Sequence, residues 1–202
     1  MPLQIGILGT GHMGEGLGTA WAGAGHAVVL GSRDPSRVRC NGPATLRVGT
    51  HEEAASQRIV VLATPFRATA ELCARLADRL AGKVLIDITN PFGAAPPGRS
   101  GISVHAEAVG APARWVAAFK TNFWRTIAMV EDAPRQCLIA ADDAGAREVA
   151  AGLAAAAGFE PLDCGGLAHA AALDLMVPLM IELDQRFHGE SRSHWRFMTD
   201  AG

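Results

Sequence analysis

Three glycines near the start of the chain have the spacing of a phosphate-binding loop. They lie in Gly9-Thr10-Gly11-His12-Met13-Gly14, which follows a short apolar run and precedes a helical pattern. In such a loop the first glycine permits a tight turn, the second lets the backbone approach a pyrophosphate, and the third lets the helix pack against the strand. The free amide groups of the helix N-terminus then meet the negative charge of the pyrophosphate. Residues 9–14 therefore predict a dinucleotide-binding site, and the alternative is a glycine-rich structural turn.

The residues after the second apolar run are the ones that choose between NAD and NADP. About 20 residues beyond the glycines, a cofactor with a free 2′-hydroxyl is usually met by Asp or Glu, whereas this chain has Ser32 and Arg33. A hydroxyl and a guanidinium suit a 2′-phosphate, because Arg forms paired, charge-assisted hydrogen bonds with phosphate oxygens. We therefore predict NADP as the cofactor, with Thr10 and Arg37 adding contacts to the same phosphate. The alternative is a solvated basic turn in which Asp34 accepts the ribose hydroxyl.

The elements that position these residues follow the order expected of a parallel sheet with crossover helices. Apolar runs of strand length alternate with amphipathic or alanine-rich segments of helix length. The central runs, 59–62 and 84–86, are continuously apolar, as expected of strands covered by helices on both faces. We expect an α/β fold of the Rossmann type, doubly wound and mostly parallel. The predicted strands are residues 4–8, 27–31, 46–48, 59–63, 84–88, 115–119, 137–140 and 161–163.

Sequence signals also mark where helices and loops begin and end. Thr50 is expected to cap a short helix, and Asp142 is expected to cap a helix over residues 143–157. Apolar residues at helical spacing predict another helix over residues 67–80. Residues 91–101 are too rich in proline and glycine for regular structure. We expect them to form a long loop, which either flanks a site or serves as a linker.

Composition and charge exclude several classes of protein. The 202 residues are 49% hydrophobic and 19% charged, which excludes a disordered chain, and a formal net charge of -2 leaves no basic excess for a nucleic acid. No run reaches the roughly 18 apolar residues of a membrane-spanning helix, and the N-terminus lacks the basic region of a signal peptide, so we expect a cytoplasmic protein. The four cysteines form no CxxC pair, and no metal site is expected. The absence of tyrosine excludes the short-chain dehydrogenases, which use a Tyr-x-x-x-Lys acid.

Seven segments, taken in order, resemble a known family. They are IGILGTGHMG, VVLGSRDPSR, LATPF, DITNPFG, WVAAFKTNFW, IAADD and PLDCGGL. They are similar to the coenzyme F420-dependent NADP oxidoreductases and to the reductase domains of the STEAP ferric reductases. The resemblance implies hydride transfer between NADPH and the flat deazaflavin F420 in a shared cleft, and a homodimer. It also implies an NADP-binding domain over residues 1–120 with a small C-terminal α/β subdomain over residues 121–202, or one continuous domain over residues 1–202.

The resemblance also carries site residues onto this chain, position by position. Thr10, Ser32, Arg33 and Arg37 resemble contacts to the 2′-phosphate, and Ala63, Thr64 and Pro65 resemble a turn that flanks the nucleotide. The segment Thr89-Asn90-Pro91 follows the fifth predicted strand, and ligands of open α/β sheets bind at the carboxyl ends of strands. Asn90 is therefore expected either to form the floor of the nicotinamide pocket or to cap a turn.

Two positions depart from the family pattern. Lys120 stands where relatives commonly have Asn or His, and we predict it as a proton donor or as an anchor for an acidic substrate, the alternative being a surface residue. Residues 167–172 offer mainly alanines and His169 where relatives often place Ser and Arg beside the second ligand.

The predicted function is an NADPH-dependent oxidoreductase that transfers a hydride to F420 or a similar flat acceptor. Lys120 and Asn90 are the candidate catalytic residues. Hydride transfer needs no covalent nucleophile, so the lack of a nucleophile and base pair does not count against an enzyme. The alternatives are a reductase of another small acceptor, such as a carbonyl, imine, flavin, quinone or metal complex, and a non-catalytic NADPH sensor.

Overall fold

Eight strands of the described residues form one mostly parallel sheet in the computed structural model of the chain. The structure describes residues 1–127, 129 and 135–199. In chain order the strands are β1 (Gln4–Leu8), β2 (Ala27–Ser32), β3 (Leu46–Thr50), β4 (Ile59–Leu62), β5 (Val84–Asp87), β6 (Arg114–Ala117), β7 (Gln136–Ala141) and β8 (Glu160–Asp163). The order across the sheet is β3-β2-β1-β4-β5-β6-β7-β8, and each pairing is parallel except that of β6 with β7.

Helices cover both faces of this sheet. Within the described residues they are α1 (His12–Gly23), α2 (His51–Ala55), α3 (Phe66–Arg75), α4 (Ala77–Leu80), α5 (Gly101–Val109), α6 (Ala144–Ala156) and α7 (Ala170–Arg186). One face packs against α1 and α6, where Trp21 Nε1 donates a hydrogen bond of 2.8 Å to the carbonyl of Leu153. The other face packs against α2 to α5 and α7, through a core that includes Leu72, Ile102 and Leu173. The doubly wound α/β arrangement predicted from the sequence is confirmed.

Two predicted elements are cut short or divided by a change in backbone conformation. The strand predicted over residues 115–119 is β6, which ends at Ala117 because Phe119 has a left-handed φ of 56° and cannot continue an extended strand. The helix predicted over residues 67–80 is two helices, because the backbone of Leu76, with a ψ of 12°, leaves the helical range between α3 and α4.

The capping residues agree with the sequence at α2 and differ at α6. Thr50 caps α2, and its hydroxyl accepts a hydrogen bond of 3.2 Å from Glu53 N. The prediction that Asp142 caps a helix over residues 143–157 is wrong. Asp143 caps α6 instead, because its carboxylate accepts a hydrogen bond of 2.7 Å from Ala146 N. The carboxylate of Asp142 is turned toward a different partner, the backbone amide of residue 167.

The chain beyond residue 120 adds its strands to the same sheet. β7 pairs with β6, and β8 pairs with β7 at the sheet edge. The long loop predicted over residues 91–101 is irregular up to Ser100, and α5, which the sequence patterns did not indicate, begins at Gly101. The division into domains at residue 120 stays a prediction. Among the described residues, no helix combines the length and the apolar character needed to cross a membrane.

Candidate functional site

A cleft opens at the carboxyl edge of the sheet, where the strand order reverses between β1 and β4. The chain runs from β1 to β2 and β3 on one side, whereas β4 lies on the other side, and ligands of open α/β sheets bind at such a reversal. The larger part of the cleft, beside β2, has a volume of about 560 Å³. The smaller part, beside β5, has a volume of about 370 Å³. Gly11 and the turn at Ala63, Thr64 and Pro65 line both parts, so the two parts adjoin.

Most of the predicted cofactor-binding residues line this cleft. Three do not: Gly14 lies within α1, Pro91 is buried, and Arg37 lies on the exposed turn after β2. Those that line the cleft are Gly9, Thr10, Gly11, His12, Met13, Ser32, Arg33, Ala63, Thr64, Pro65, Thr89 and Asn90.

The loop between β1 and α1 has the close approaches that its glycines predict. Gly9 has a φ of 132°, and a Cβ at this position would lie 2.5 Å from the carbonyl oxygen of Ala63. A Cβ on Gly14 would lie 2.7 Å from the carbonyl oxygen of Gly9. A Cβ on Gly11, in contrast, would meet no atom within 4 Å, since this residue borders the open cleft. No side chain caps α1 at Gly11, so the amide groups of this terminus suit a pyrophosphate.

The end of β2 presents a cation to the larger part of the cleft. Arg33 is exposed and, within the described part of the chain, has no carboxylate at ion-pair distance. Arg37 is already paired, because its Nε lies 3.2 Å from Asp34 Oδ2. Asp34 also accepts a hydrogen bond of 3.2 Å from Ser36 N. The acidic side chain is thus occupied within its own turn, and Arg33 with Ser32 forms an arrangement that fits a 2′-phosphate.

Three residues at the larger part of the cleft were missed by sequence reasoning. They are His51, Glu71 and Arg75, which come from α2 and α3. His51 is buried, and its Nδ1 lies 3.4 Å from Arg75 Nη2. Burial and the positive charge of Arg75 lower the pKa of His51, so its ring is neutral at neutral pH. No motif could have found these residues, because only the packing of α2 and α3 on the sheet brings them to the cleft.

Two buried polar atoms beside the smaller part of the cleft lack partners. Thr89 Oγ1 and Asn90 Oδ1 make no hydrogen bond in the described structure, although buried polar atoms are nearly always paired. Asn90 Nδ2 donates a hydrogen bond of 3.2 Å to the backbone carbonyl of Lys120. An amide-bearing ring such as nicotinamide has the donors and acceptors that these atoms need, so the residues fit the cofactor.

Phe92 lines the smaller part of the cleft, and Trp124 adjoins this part through His12. The ring of Trp124 stacks on His12, with ring centroids 4.6 Å apart and an interplanar angle of 22°. The guanidinium carbon of Arg125 lies 4.9 Å from the centroid of the same Trp124 ring. Phe92, in the loop after β5, is 62% exposed and lines this part of the cleft as well. The composition of this border suits a flat ring that carries negative charge.

Lys120 lies inside the protein, next to Thr89 and Asn90, which together form what we call the cleft floor. Its side chain is 2% exposed, so the alternative of a surface residue is wrong. Its Nζ donates a hydrogen bond of 2.6 Å to the carbonyl of Thr89 and lies 2.8 Å from Asp174 Oδ1 and 3.8 Å from Asp87 Oδ1. The contact with Asp174 is an ion pair without hydrogen-bond geometry. Lys120 is not among the residues that line the cleft, and its catalytic role stays a prediction.

Asp87 and His105 extend this buried group of charges. Asp87 Oδ2 lies 2.8 Å from His105 Nδ1, and His105 Nε2 lies 3.1 Å from the carbonyl of Phe66. Burial alone raises the pKa of Asp87. The charge of Lys120 and the hydrogen bonds from His105 and Thr89 N outweigh it and lower the pKa to about 2. The one sequence signal for this group is the acidic residue at the end of an otherwise apolar run, in DITNP.

Comparisons with known proteins agree with this geometry. The profile of the family described as coenzyme F420-dependent NADP oxidoreductases matches residues 4–91. The F420-dependent NADP reductase of Methanothermobacter thermautotrophicus is 31% identical over 92% of this chain and 91% of its own length. The rat metalloreductase STEAP3 is 34% identical over 88% of this chain, which spans 37% of that protein. A crystal structure from Arthrobacter sp. FB24, provisionally described as an F420-dependent NADP reductase, is 24% identical in sequence. The two structures align over 98% of this chain and 100% of the other chain, with a TM-score of 0.83, and this likeness shows the fold.

Proposed function

Because the chain belongs to the family of coenzyme F420-dependent NADP oxidoreductases and is an NADP-dependent oxidoreductase, we propose that it transfers a hydride between NADPH and coenzyme F420. The predicted cofactor, NADP, is confirmed by the same comparisons. The observation that carries the choice of acceptor is the smaller part of the cleft, where aromatic side chains border a space next to the glycine loop. NADPH, when bound, supplies the hydride.

In this proposal the chain binds NADPH along the whole cleft. The amide groups at Gly11 hold the pyrophosphate, and Ser32 with Arg33 holds the 2′-phosphate at the larger part. Thr89 and Asn90 hold the nicotinamide at the smaller part through their unpaired oxygen atoms. The protein then aligns the nicotinamide with the ring of the acceptor and excludes water, which are the two things that hydride transfer requires of a protein.

The acceptor is proposed to enter between the rim of the smaller part and the Trp124 ring. Trp124 and Phe92 offer flat apolar surfaces for a deazaflavin, because aromatic rings stack favourably. Arg125, which lies over Trp124, is placed to meet an acidic tail. Residues 167–172 of this chain contain no Arg or Lys, so Arg125 is the cation that we assign to the tail.

The proposed function is tested by an anaerobic assay of the purified protein with NADPH and F420. We expect the absorbance of oxidised F420 to fall with NADPH and to fall far more slowly with NADH. The Trp124→Ala variant should raise the KM for F420 at least fivefold and leave the Kd for NADPH unchanged, whereas a Phe197→Ala variant, at an exposed aromatic residue remote in sequence, should match the wild type. Tight binding of NADPH without reduction of F420 would contradict the proposed acceptor.

A metal complex is the second candidate acceptor, because the relative with 34% identity is a metalloreductase. In the described residues, no group of three or more His, Cys, Asp or Glu side chains is arranged to hold a metal ion. A metal would therefore act as a substrate at the cleft. The same assay is repeated with ferric citrate as the acceptor, with and without free flavin. Reduction of iron without reduction of F420 would favour this candidate.

Arg33→Ala is expected to weaken NADPH binding about tenfold or more and to leave NADH binding nearly unchanged. A charge-assisted hydrogen bond contributes about 1.5 to 3 kcal/mol, and only NADPH carries the 2′-phosphate that Arg33 would meet. Isothermal titration with both cofactors measures the effect. Arg39→Ala removes an exposed arginine from the same segment and is the matched control. Equal losses for NADPH and NADH would contradict the assignment of Arg33.

We also propose that the protein forms a homodimer through α7. Leu175 is 77% exposed, and Leu179, one helical turn later, is exposed on the same side. Exposed apolar side chains at helical spacing are typical of an interface. The double variant Leu175→Glu/Leu179→Glu should be a monomer of 21.1 kDa by light scattering, and the wild type should have twice this mass. Ala155→Glu, at an exposed position on α6, is the control, and a monomeric wild type at micromolar concentration would contradict the dimer.

A cytoplasmic location is part of the same proposal. The four cysteines, Cys40, Cys73, Cys137 and Cys164, are free thiols, as is usual in a reducing compartment. Burial raises the pKa of Cys73 and Cys137 to about 12, so these two thiols are protonated and unreactive at neutral pH.

A further inference from the structure

Two buried charged residues hold the two ends of the loop over residues 88–100, which joins β5 to α5. At its start, Lys120 Nζ donates a hydrogen bond of 2.6 Å to the carbonyl of Thr89. At its end, Asp174 Oδ2 accepts a hydrogen bond of 2.7 Å from Gly101 N. The two charged side chains also meet each other, with 2.8 Å between Lys120 Nζ and Asp174 Oδ1. An ion pair between Lys120, three positions beyond β6, and Asp174 on α7 therefore closes the loop.

This loop carries several of the residues that line the smaller part of the cleft. Thr89, Asn90 and Phe92 are all in it. Asn90 is held from the same place as Thr89, because its Nδ2 donates a hydrogen bond to the backbone carbonyl of Lys120. Lys120 thus binds both residues of the cleft floor, one through its side chain and one through its backbone.

The loop has little regular structure of its own to define its position. Backbone hydrogen bonds inside it are local turns, from Ala94 N to the carbonyl of Pro91 and from Arg99 N to the carbonyl of Pro96. Such turns shape short segments and do not attach them to the sheet. Two contacts with buried charged side chains, at Thr89 and at Gly101, attach the loop to the rest of the fold. In addition, Ile88 N donates a hydrogen bond of 3.4 Å to the carbonyl of Leu62, and Arg99 contacts α5.

We infer that the Lys120–Asp174 pair positions the loop over residues 88–100 and so couples α7 to the nicotinamide end of the cleft. Lys120 is then a positioning residue: its amine is occupied by Thr89, Asp174 and Asp87 and acts on the reaction through the cleft floor. The pair is buried, so removing one partner leaves an uncompensated charge and disrupts the arrangement. This inference rests on the proposed function, because it takes the smaller part of the cleft as the site of the nicotinamide.

The test compares Lys120→Met, Asp174→Asn and the double variant by amide hydrogen exchange of the protein without cofactor. We expect exchange of peptides that cover residues 88–101 to rise at least tenfold in each single variant. The double variant should show no further rise, because both substitutions break the same pair. Arg147→Met is the control: it breaks the pair between Arg147 and Asp163, which joins α6 to β8, and should leave exchange of this loop unchanged.

A binding measurement separates positioning of the loop from a general loss of structure. We expect the Kd for NADPH to rise at least fivefold in the single variants, whereas the Kd for 2′,5′-ADP, which lacks the nicotinamide half, should stay within twofold. Neither measurement needs an electron acceptor, so each can succeed where the assay with F420 fails.

Three results would overturn the inference: unchanged loop exchange in folded variants, increases that add in the double variant, or equal losses for NADPH and 2′,5′-ADP. Where Lys120→Met does not fold, Asp174→Asn decides. It removes the charge and keeps an oxygen that can accept the hydrogen bond from Gly101 N.

Discussion

Gly11→Val is expected to weaken NADPH binding at least 100-fold and to leave the free energy of unfolding within about 1 kcal/mol of the wild type. The reason is that a Cβ at Gly11 would meet no protein atom within 4 Å, and the side chain would extend into the cleft where we propose that the pyrophosphate binds. A loss of this size corresponds to about 2.7 kcal/mol of binding free energy. Titration with NADPH and chemical denaturation of the same preparation measure the two quantities.

Gly11 is a sharper test of the binding loop than its neighbours. At Gly9 a side chain would meet the carbonyl of Ala63 at 2.5 Å with a backbone φ of 132°, so a loss of binding there would be confounded with a loss of stability. The matched control is Gly152→Val, at an exposed position on α6 where a Cβ also meets no atom within 4 Å. A Gly11→Val variant that binds NADPH within threefold of the wild type would show that the pyrophosphate lies elsewhere.

Asp87→Asn is expected to lower the free energy of unfolding at pH 7 by about 3 kcal/mol. The substitution keeps the shape of the side chain and removes its charge. His105 then loses its only carboxylate within the described hydrogen bonds, and Lys120 keeps Asp174 alone. Urea denaturation measures the change, and Asp78→Asn, at an exposed position on α4, is expected to stay within about 0.5 kcal/mol.

The difference in the free energy of unfolding between the wild type and Asp87→Asn should become smaller as the pH falls. The folded-state pKa of Asp87 is about 2, below its ordinary value of 3.8. The contribution of the carboxylate is therefore fully present above about pH 4 and is lost as the pH falls through 2. We expect the two stability curves to converge between about pH 4 and pH 2. Curves that stay parallel over this window would mean that Asp87 does not interact with Lys120 and His105 as the structure indicates.

The sequence by itself determined the binding loop and its cofactor, because that chemistry is local. The glycines of residues 9–14 carry their geometric requirements in their own residue type, and each requirement is met in the structure. Ser32 ends β2 and Arg33 follows it directly, so their place at the cleft depends only on where that strand ends. Continuous apolar runs likewise identified the central strands, because burial on both faces favours apolar side chains along most of their length.

Only the tertiary structure decided how the charged residues are used. The sequence predicts Arg33 as a contact to the 2′-phosphate and Arg37 as an additional contact, and the pairing of Arg37 with Asp34 is what separates them. The sequence leaves Lys120 as either a surface residue or a catalytic residue. In the structure, α7 places Asp174 Oδ1 2.8 Å from Lys120 Nζ. A buried ion pair joins residues that are far apart along the chain, and no local pattern encodes which two will meet. That choice is made when the helices pack on the sheet and each buried charge must find a partner.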